Sequence, residues 1–522
     1  MTTTAQKFAS GETQQNRFFS GPAFVLYVVA VELLLHLSTI TRYGIFRDEM
    51  YYVACSHHMA WGYVDHPPFT VWVAWLGTHL FGNNAFGVRL LPILTGGAVV
   101  WLTGKLTREM GGSRFAQAMA AFAVVVVPIY LVGFSWLTDN IFEQIIWLGC
   151  IWCVVRAINT GDARYWLWFG ILAGFGFENK YSIAFLLLGL LAGVILTPQR
   201  HFLKSRYLWL GVLACGLIAL PNLLWQVHYH FPFLELIHNI RMNNRDVVRG
   251  PLAFIADQAV IMNPVLFPLW AGGVIWLFFR RNAGRYRLLG WTFIVVLGSF
   301  IAIKAKNYYV VPIYPMLFAA GAIGLERITQ GRRIGSWSRG IYIGLVIALS
   351  ALLLPMSLPI LSPENYIRYQ KALGMAPPEF EHQQNGPLPQ WYADEFGWQE
   401  MVEKVAQAYN GLSPEERART AIFSNSWGDA AAVDFYGPRY GLPQAISKSN
   451  SYWIWGPGKY DGSTMIILHS SGQHDREFFQ SVEAVGHVGH PYARRDEYFD
   501  ILLCRGLKWN LRDLWPKLKQ FD

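Results

Sequence analysis

Charge is scarce in this chain. Lys, Arg, Asp and Glu make up 15% of its 522 residues, while 53% are hydrophobic and 16% aromatic. A soluble chain carries about 25% charge, so the deficit excludes an ordinary soluble globule and points to an integral membrane protein. Cysteine is scarce too. Five scattered residues exclude a disulfide framework, and the Cys150–Cys153 pair, set in an apolar run, reads as two small core residues. No Walker loop is present, because Gly104-Lys105 lacks the leading glycine and runs on into Leu106. Nor is there an Asp-x-Asp metal clamp, and the basic loops are too short to hold a nucleotide. A nucleotide cofactor is therefore not expected. The net charge of +9 would suit a nucleic-acid binder. The basic residues instead cluster in short loops between apolar runs, which is the pattern that orients membrane proteins, so no nucleic-acid partner is expected.

What the chain does have is apolar runs near the length that crosses a bilayer, about 20 residues. They lie near 22–40, 85–104, 115–134, 140–157, 165–177, 181–197, 207–225, 264–279, 288–303, 309–325 and 340–361. The expectation is a polytopic α-helical membrane protein of about eleven spans, or twelve to thirteen if short runs such as Phe69 to Phe81 also cross. No small-residue cleavage site follows the first run, so it reads as an uncleaved span. Alternate loops are basic: KLTREMGGSR (105–114), the loop with Arg156 and Arg164, TPQRHFLKSR (197–206), RRNAGRYR (280–287) and ERITQGRRIGSWSR (326–339). Placing these in the cytoplasm makes 1–21 a cytoplasmic tail and 22–362 the multi-span domain. Residues 363–522 become a linker and an α/β domain on the outer, periplasmic side of the inner membrane.

The remaining loops differ in chemistry. They carry Asp48, Glu49, Asp65 and His66 in 41–84, then Asp139, Lys180, Lys304 and Lys306. Polar groups converging at the edge of an apolar bundle mark a binding site. From Glu49 to Trp61 apolar residues recur at helical spacing, which predicts an interfacial helix on the outer face of the membrane. Asp48 would sit at its N-terminus, where the helix dipole favours an ionised carboxylate able to act as a general base. In VDHPPF, Pro67-Pro68 stiffens the turn after Asp65 and His66. That suits a metal ligand or phosphate contact as well as a structural turn.

FRDEMYY after the first span, followed by WGYVDHPPF, resembles the GT-C glycosyltransferases. The similarity is to the bacterial branch of the protein O-mannosyltransferase and lipid A aminoarabinose transferase families, and it covers most of 20–330. The resemblance implies an inverting transferase that uses a polyprenyl-phosphate sugar donor on the outer face. It implies a catalytic carboxylate at Asp48, with Glu49 beside it, and a second acidic position at Asp139. It also implies a divalent metal ion held near Asp65, with His238 of FLELIHNIRMNNR as partner. His66, Lys180, Arg241, Arg245, Lys304 and Lys306 become candidate donor-phosphate contacts. The acceptor, a lipid, glycan or protein of the cell envelope, stays open. Two other readings share the ligand class: a transporter or flippase of lipid-linked sugars, and a surface-polysaccharide ligase or polymerase. A flippase usually shows inverted repeats, and none is visible here.

In the tail, TAIFSNSWGDAAAVDFYGPRYG predicts a strand, a Gly-Asp turn and a helix. STMIILHSS predicts a strand, DREFFQSVEAVG a helix and YFDILLCRG a last strand. The aromatic stretch SNSYWIWGPG reads as a packed loop or a sugar-stacking surface.

Overall fold

The computed structural model of the chain describes residues 20–331, 333–377, 381, 382, 384 and 386–522. The expected N-terminal tail, 1–21, therefore lies almost wholly outside the described residues, as do parts of the expected linker. The chain divides into two compact units. The first comprises residues up to Thr39, Leu90–Leu220 and Val248–Leu358; the second comprises Ile40–Arg89, Pro221–Val247 and Pro359–Asp522. This differs from the sequence-based boundary at 362. The first long outer loop, expected to belong with the spans, folds instead in one unit with the C-terminal sheet.

The first unit is helical. Each of the eleven predicted runs coincides with helix, but length and apolarity together are met by fewer. Among the described residues seven helices are long and apolar enough to cross a membrane, or up to nine if two sharply bent pairs each count as one span. The bends fall between Ile183–Ile195 and Pro198–Lys204 (110°) and between Pro251–Ile261 and Pro264–Phe279 (101°). Pro198 and Pro264 lack the amide hydrogen that would continue the preceding helix. The predicted run at 115–134 is likewise split, into Arg114–Val125 and Pro128–Gly133. Helices in this unit pack through small residues: a Cβ on Gly321 would lie 1.9 Å from the carbonyl oxygen of Leu269. Such close approach is how helices associate where no hydrophobic drive separates protein from lipid. Leucines at 210, 213 and 217 of the Arg206–His228 helix remain exposed, as a lipid-facing surface requires.

The second unit carries a five-stranded sheet: β1 (Thr420–Ser424), β2 (Ile446–Ser447), β3 (Thr464–Ser470), β4 (Phe479–Val488) and β5 (Phe499–Leu507). The order is β2-β1-β3-β5-β4. β1 pairs in parallel with β2 and β3, while β5 runs antiparallel to β3 and β4. Phe423, Met465, Ile467, Leu502, Cys504 and Trp515 form a core on one side of it. Two predictions are corrected here. Residues 479–488 are strand, with only Asp475–Phe478 helical. Gly428-Asp429 is no turn but lies in the first turn of the Trp427–Tyr436 helix, where the Ser426 hydroxyl accepts from the Gly428 amide. The start of the expected linker is ordered as the Pro363–Ala372 helix, capped by Ser362.

The helix expected between the first runs exists, over Arg47–Ser56, and its apolar side is packed against protein. Met50, Tyr51, Tyr52, Val53, Ala54 and Cys55 are all buried, because the Trp427–Tyr436 helix and the Phe69–Phe81 helix pack against it.

Candidate active site

The Arg47–Ser56 helix places Asp48 and Glu49 in its first turn, and the two carboxylates meet different fates. Glu49 is fully buried. Its carboxylate accepts from the Arg89 guanidinium at 2.7–3.1 Å and from the Phe46 amide at 2.9 Å, which satisfies one open donor of the helix start. Arg89 also donates to the Gly44 carbonyl at 2.7 Å and to Glu395 at 3.2 Å. A Cβ at Gly44 would lie 1.9 Å from the Glu395 carbonyl oxygen, so only glycine lets the two segments approach. Glu49 thus anchors the helix, with Arg89 as its buried counter-ion.

Asp48 keeps 40% of its side-chain surface. Desolvation pushes its carboxyl up to about 6; Arg47 opposes the rise, and the carboxylates of Asp394, Glu381 and Asp65 add to it. The dipole argument, which favoured a firmly ionised group, is outweighed by burial and by like charge. Arg47 is the neighbour that sequence reasoning passed over, although it stands beside Asp48 in FRDE. Its guanidinium lies 4.4 Å over the Trp427 ring. Its buried Nε makes no hydrogen bond and lies 3.9 Å from the Asp48 carboxylate.

Asp65 and His66 are tied to the same helix. The Tyr51 hydroxyl donates to Asp65 at 3.1 Å and accepts from the Ser451 amide at 3.2 Å. The Ser451 hydroxyl in turn accepts from the Val64 amide at 3.1 Å. This gives part of the aromatic SNSYWIWGPG stretch a packing role. His66 is buried among Tyr51, Tyr52 and Tyr63. Its Nδ1 donates to the Pro67 carbonyl at 2.9 Å, which leaves Nε2 facing Asp65 at 3.7 Å. His238 and Arg241 lie exposed on the Pro232–Met242 helix, while Arg245 pairs with Glu381 at 3.2 Å. Among the described residues no group of three metal-ligating side chains includes Asp65 or His238.

Elsewhere, Asp429, His469 and Glu497 bring one potential ligand atom each within 4.8 Å of one another. Burial works to lower the His469 imidazole, but Asp429 and Glu497 outweigh it and push the ring up to about 9. His469 and Glu497 line a cavity of about 800 Å³, together with Arg47, Arg245, Trp427 and Lys448.

In the first unit, Asp139 opens the Asp139–Thr160 helix, and Lys180 lies 3.4 Å from its carboxylate and 3.8 Å from Glu143. Ser182 donates to Glu143, and the Lys180 ammonium sits 4.8 Å over the Tyr309 ring. The structure thus joins Asp139, Lys180 and the segment after Lys306. Lys306 is half-buried, and Lys304 is exposed at a left-handed φ of 55°.

Residues 65–225 match the family model described as dolichyl-phosphate-mannose-protein mannosyltransferase. An undecaprenyl phosphate-α-4-amino-4-deoxy-L-arabinose arabinosyl transferase 1 of Pseudomonas fluorescens is 31% identical over 225 residues, covering 40% of this chain and 38% of that one. A transferase 2 of the same description, from another P. fluorescens strain, is 26% identical over 370 residues, covering 63% and 61%. The chain therefore spans from 38% to 61% of the length of these two relatives. The crystal structure of ArnT from Cupriavidus metallidurans bound to undecaprenyl phosphate superposes with a TM-score of 0.61 at 15% identity, over 92% of this chain and 98% of that one. The structural likeness gives the chain the GT-C fold, and parts of its sequence are similar to aminoarabinosyl transferases and to the protein mannosyltransferase family model.

Proposed function

We propose that the protein transfers a sugar from a polyprenyl-phosphate donor to a cell-envelope acceptor, at the outer face of the cytoplasmic membrane and with inversion. In this orientation the N-terminus lies inside and the C-terminal domain outside. The observation that carries the proposal is Asp48: a carboxylate at a helix N-terminus, accessible, and raised to about 6 by its surroundings. A general base serves best when its pKa lies near the working pH. The acceptor hydroxyl gives its proton to Asp48 as its oxygen attacks the anomeric carbon. The bond from that carbon to the phosphate oxygen breaks, and its electron pair leaves with the lipid phosphate. Attack from the opposite face inverts the anomeric centre. Negative charge grows on the departing phosphate, so cations beside it lower the barrier. Arg47 and Arg245 are the candidate cations in the unit that holds Asp48. Glu49 acts by holding the helix through Arg89.

The relatives' described donor, undecaprenyl phosphate-α-4-amino-4-deoxy-L-arabinose, is the first donor to test. Purified protein in vesicles, supplied with this and other polyprenyl-phosphate sugars, is expected to consume one of them. Mass spectrometry of envelope glycolipids and glycoproteins from cells with and without the chain is expected to show a glycan missing in its absence. Identical envelopes and no donor consumption would refute the proposal.

A further inference from the structure

The cluster formed by Asp429, His469 and Glu497 is built by the topology of the sheet. Asp429 follows the carboxyl end of β1, in the first turn of the helix that leaves it. His469 stands near the carboxyl end of β3. Glu497 precedes β5, whose start lies beside the end of β3 because the two strands are antiparallel: Ser470 pairs with Asp500. All three therefore emerge at one edge of the sheet, outside the carboxyl ends of its parallel strands, where open α/β sheets bind ligands.

The side chains are prepared for something absent from the protein itself. Asp429 is completely buried, yet its Oδ1 has no hydrogen-bond partner, and neither does Glu497 Oε2. Buried carboxylate oxygens are costly to leave unpaired. The opposite oxygens are held: the Ser424 hydroxyl donates to Asp429 Oδ2 at 3.0 Å, and Arg494 donates to Glu497 Oε1 at 2.7 Å. Partners of this kind orient metal ligands. The register shift in β3 and a left-handed φ of 57° at His469 turn its ring out of the strand pattern. The carbonyls of Leu468 and His469 are pinned by the Asn425 amide group. His469 Nδ1 lies 3.4 Å from Asp429 Oδ2 and 3.8 Å from Glu497 Oε2. Ligands about 2.1 Å from a tetrahedral zinc stand about 3.4 Å apart.

We infer that Asp429, His469 and Glu497 form a binding site for a divalent transition-metal ion, zinc by its donor set of one imidazole and two carboxylates. The ion meets the unpartnered Nδ1 of His469 and Oε2 of Glu497 and, through Asp429, ties the Trp427–Tyr436 helix to β3 and to the turn before β5. Three protein ligands leave a fourth position. The cavity lined by His469 and Glu497 is where water or an anionic group of a bound molecule would supply it. This inference is independent of the transfer reaction. The competing arrangement has no metal: a protonated His469 bridges the two carboxylates and meets their charge.

The test uses the full-length protein in detergent, stripped with chelator and then titrated with zinc. Bound metal is read by elemental mass spectrometry and affinity by competition with a chromophoric chelator. One zinc per chain is expected, with ligands of one nitrogen and two or more oxygens in X-ray absorption. Asp429→Asn and Glu497→Gln are expected to weaken binding at least about 100-fold, and Ser424→Ala about 10–100-fold. Asp65→Asn and His238→Ala are expected to leave both the stoichiometry and the affinity unchanged. If Asp429→Asn does not fold by circular dichroism, Glu497→Gln, in the turn before β5, decides. No zinc uptake by the stripped protein, or uptake that Glu497→Gln leaves unaltered, would overturn the site and favour the imidazolium bridge.

Discussion

Two adjacent carboxylates, Asp48 and Glu49, share one helical turn and differ in everything else. Glu49 is sealed against Arg89, whereas Asp48 stands half-open beside Arg47 with its carboxyl raised to about 6. Two outcomes follow for Asp48. As a base it must be deprotonated, so the transfer rate should fall as pH drops through about 6, giving an acid limb in the pH–rate profile there. A flat profile between pH 5 and 7.5 would contradict the assignment. The same shift affects stability. A carboxyl whose pKa rises on folding favours the folded state most below its ordinary value of 3.8, and that contribution is lost as pH rises through about 6. Asp48→Asn should therefore melt at or above the wild-type temperature at pH 7.5, with the difference shrinking toward pH 4. The sequence singles out Asp48 because an acidic pair after a first span is a local signal. Its neighbour Arg47 was equally local and was missed. The Arg89 partners were out of reach: Glu49 and Glu395 are brought to it only by the fold.

At the scale of elements, the Arg47–Ser56 helix is held by that buried network more than by its own propensity. Breaking one partner of a buried ion pair leaves an uncompensated charge, so Glu49→Gln should cost about 3–5 kcal/mol of stability, measured by denaturant titration. The loss should exceed that of Asp48→Asn at every pH. Elements were read well where periodicity was clean, as in β1, β3 and β5. β4 was misread because Phe479, Val482 and Val485 fall at helical spacing, and the register shift between Ala484 and Gly486 breaks the alternation that would have announced a strand. Pairing with β5 overrides the local preference. The Asp429, His469 and Glu497 cluster was illegible for a related reason: its members meet only through the sheet order.

For the whole molecule, the apolar runs gave the helices, but proline bends and short segments reduced the number long enough to cross a membrane. The proposed orientation rests on the basic loops and is checked by cysteine labelling. Asp162→Cys, in a basic loop, should react only after membranes are permeabilised, and Lys304→Cys should react in intact spheroplasts. Labelling of both from the same side would reverse or refute the orientation. The sequence suggests a linker and an α/β domain in 363–522. The second unit shows that this tail folds together with 40–89 and 221–247, a grouping that no local pattern encodes.

The central claim is that Asp48 is the base of a lipid-linked sugar transferase. The direct measurement is transfer by purified Asp48→Asn protein in vesicles, with binding of the polyprenyl-phosphate donor measured in parallel. The account expects transfer to fall by about 100- to 10,000-fold while donor affinity stays close to that of the wild type. Transfer at the wild-type rate by the asparagine variant would contradict it.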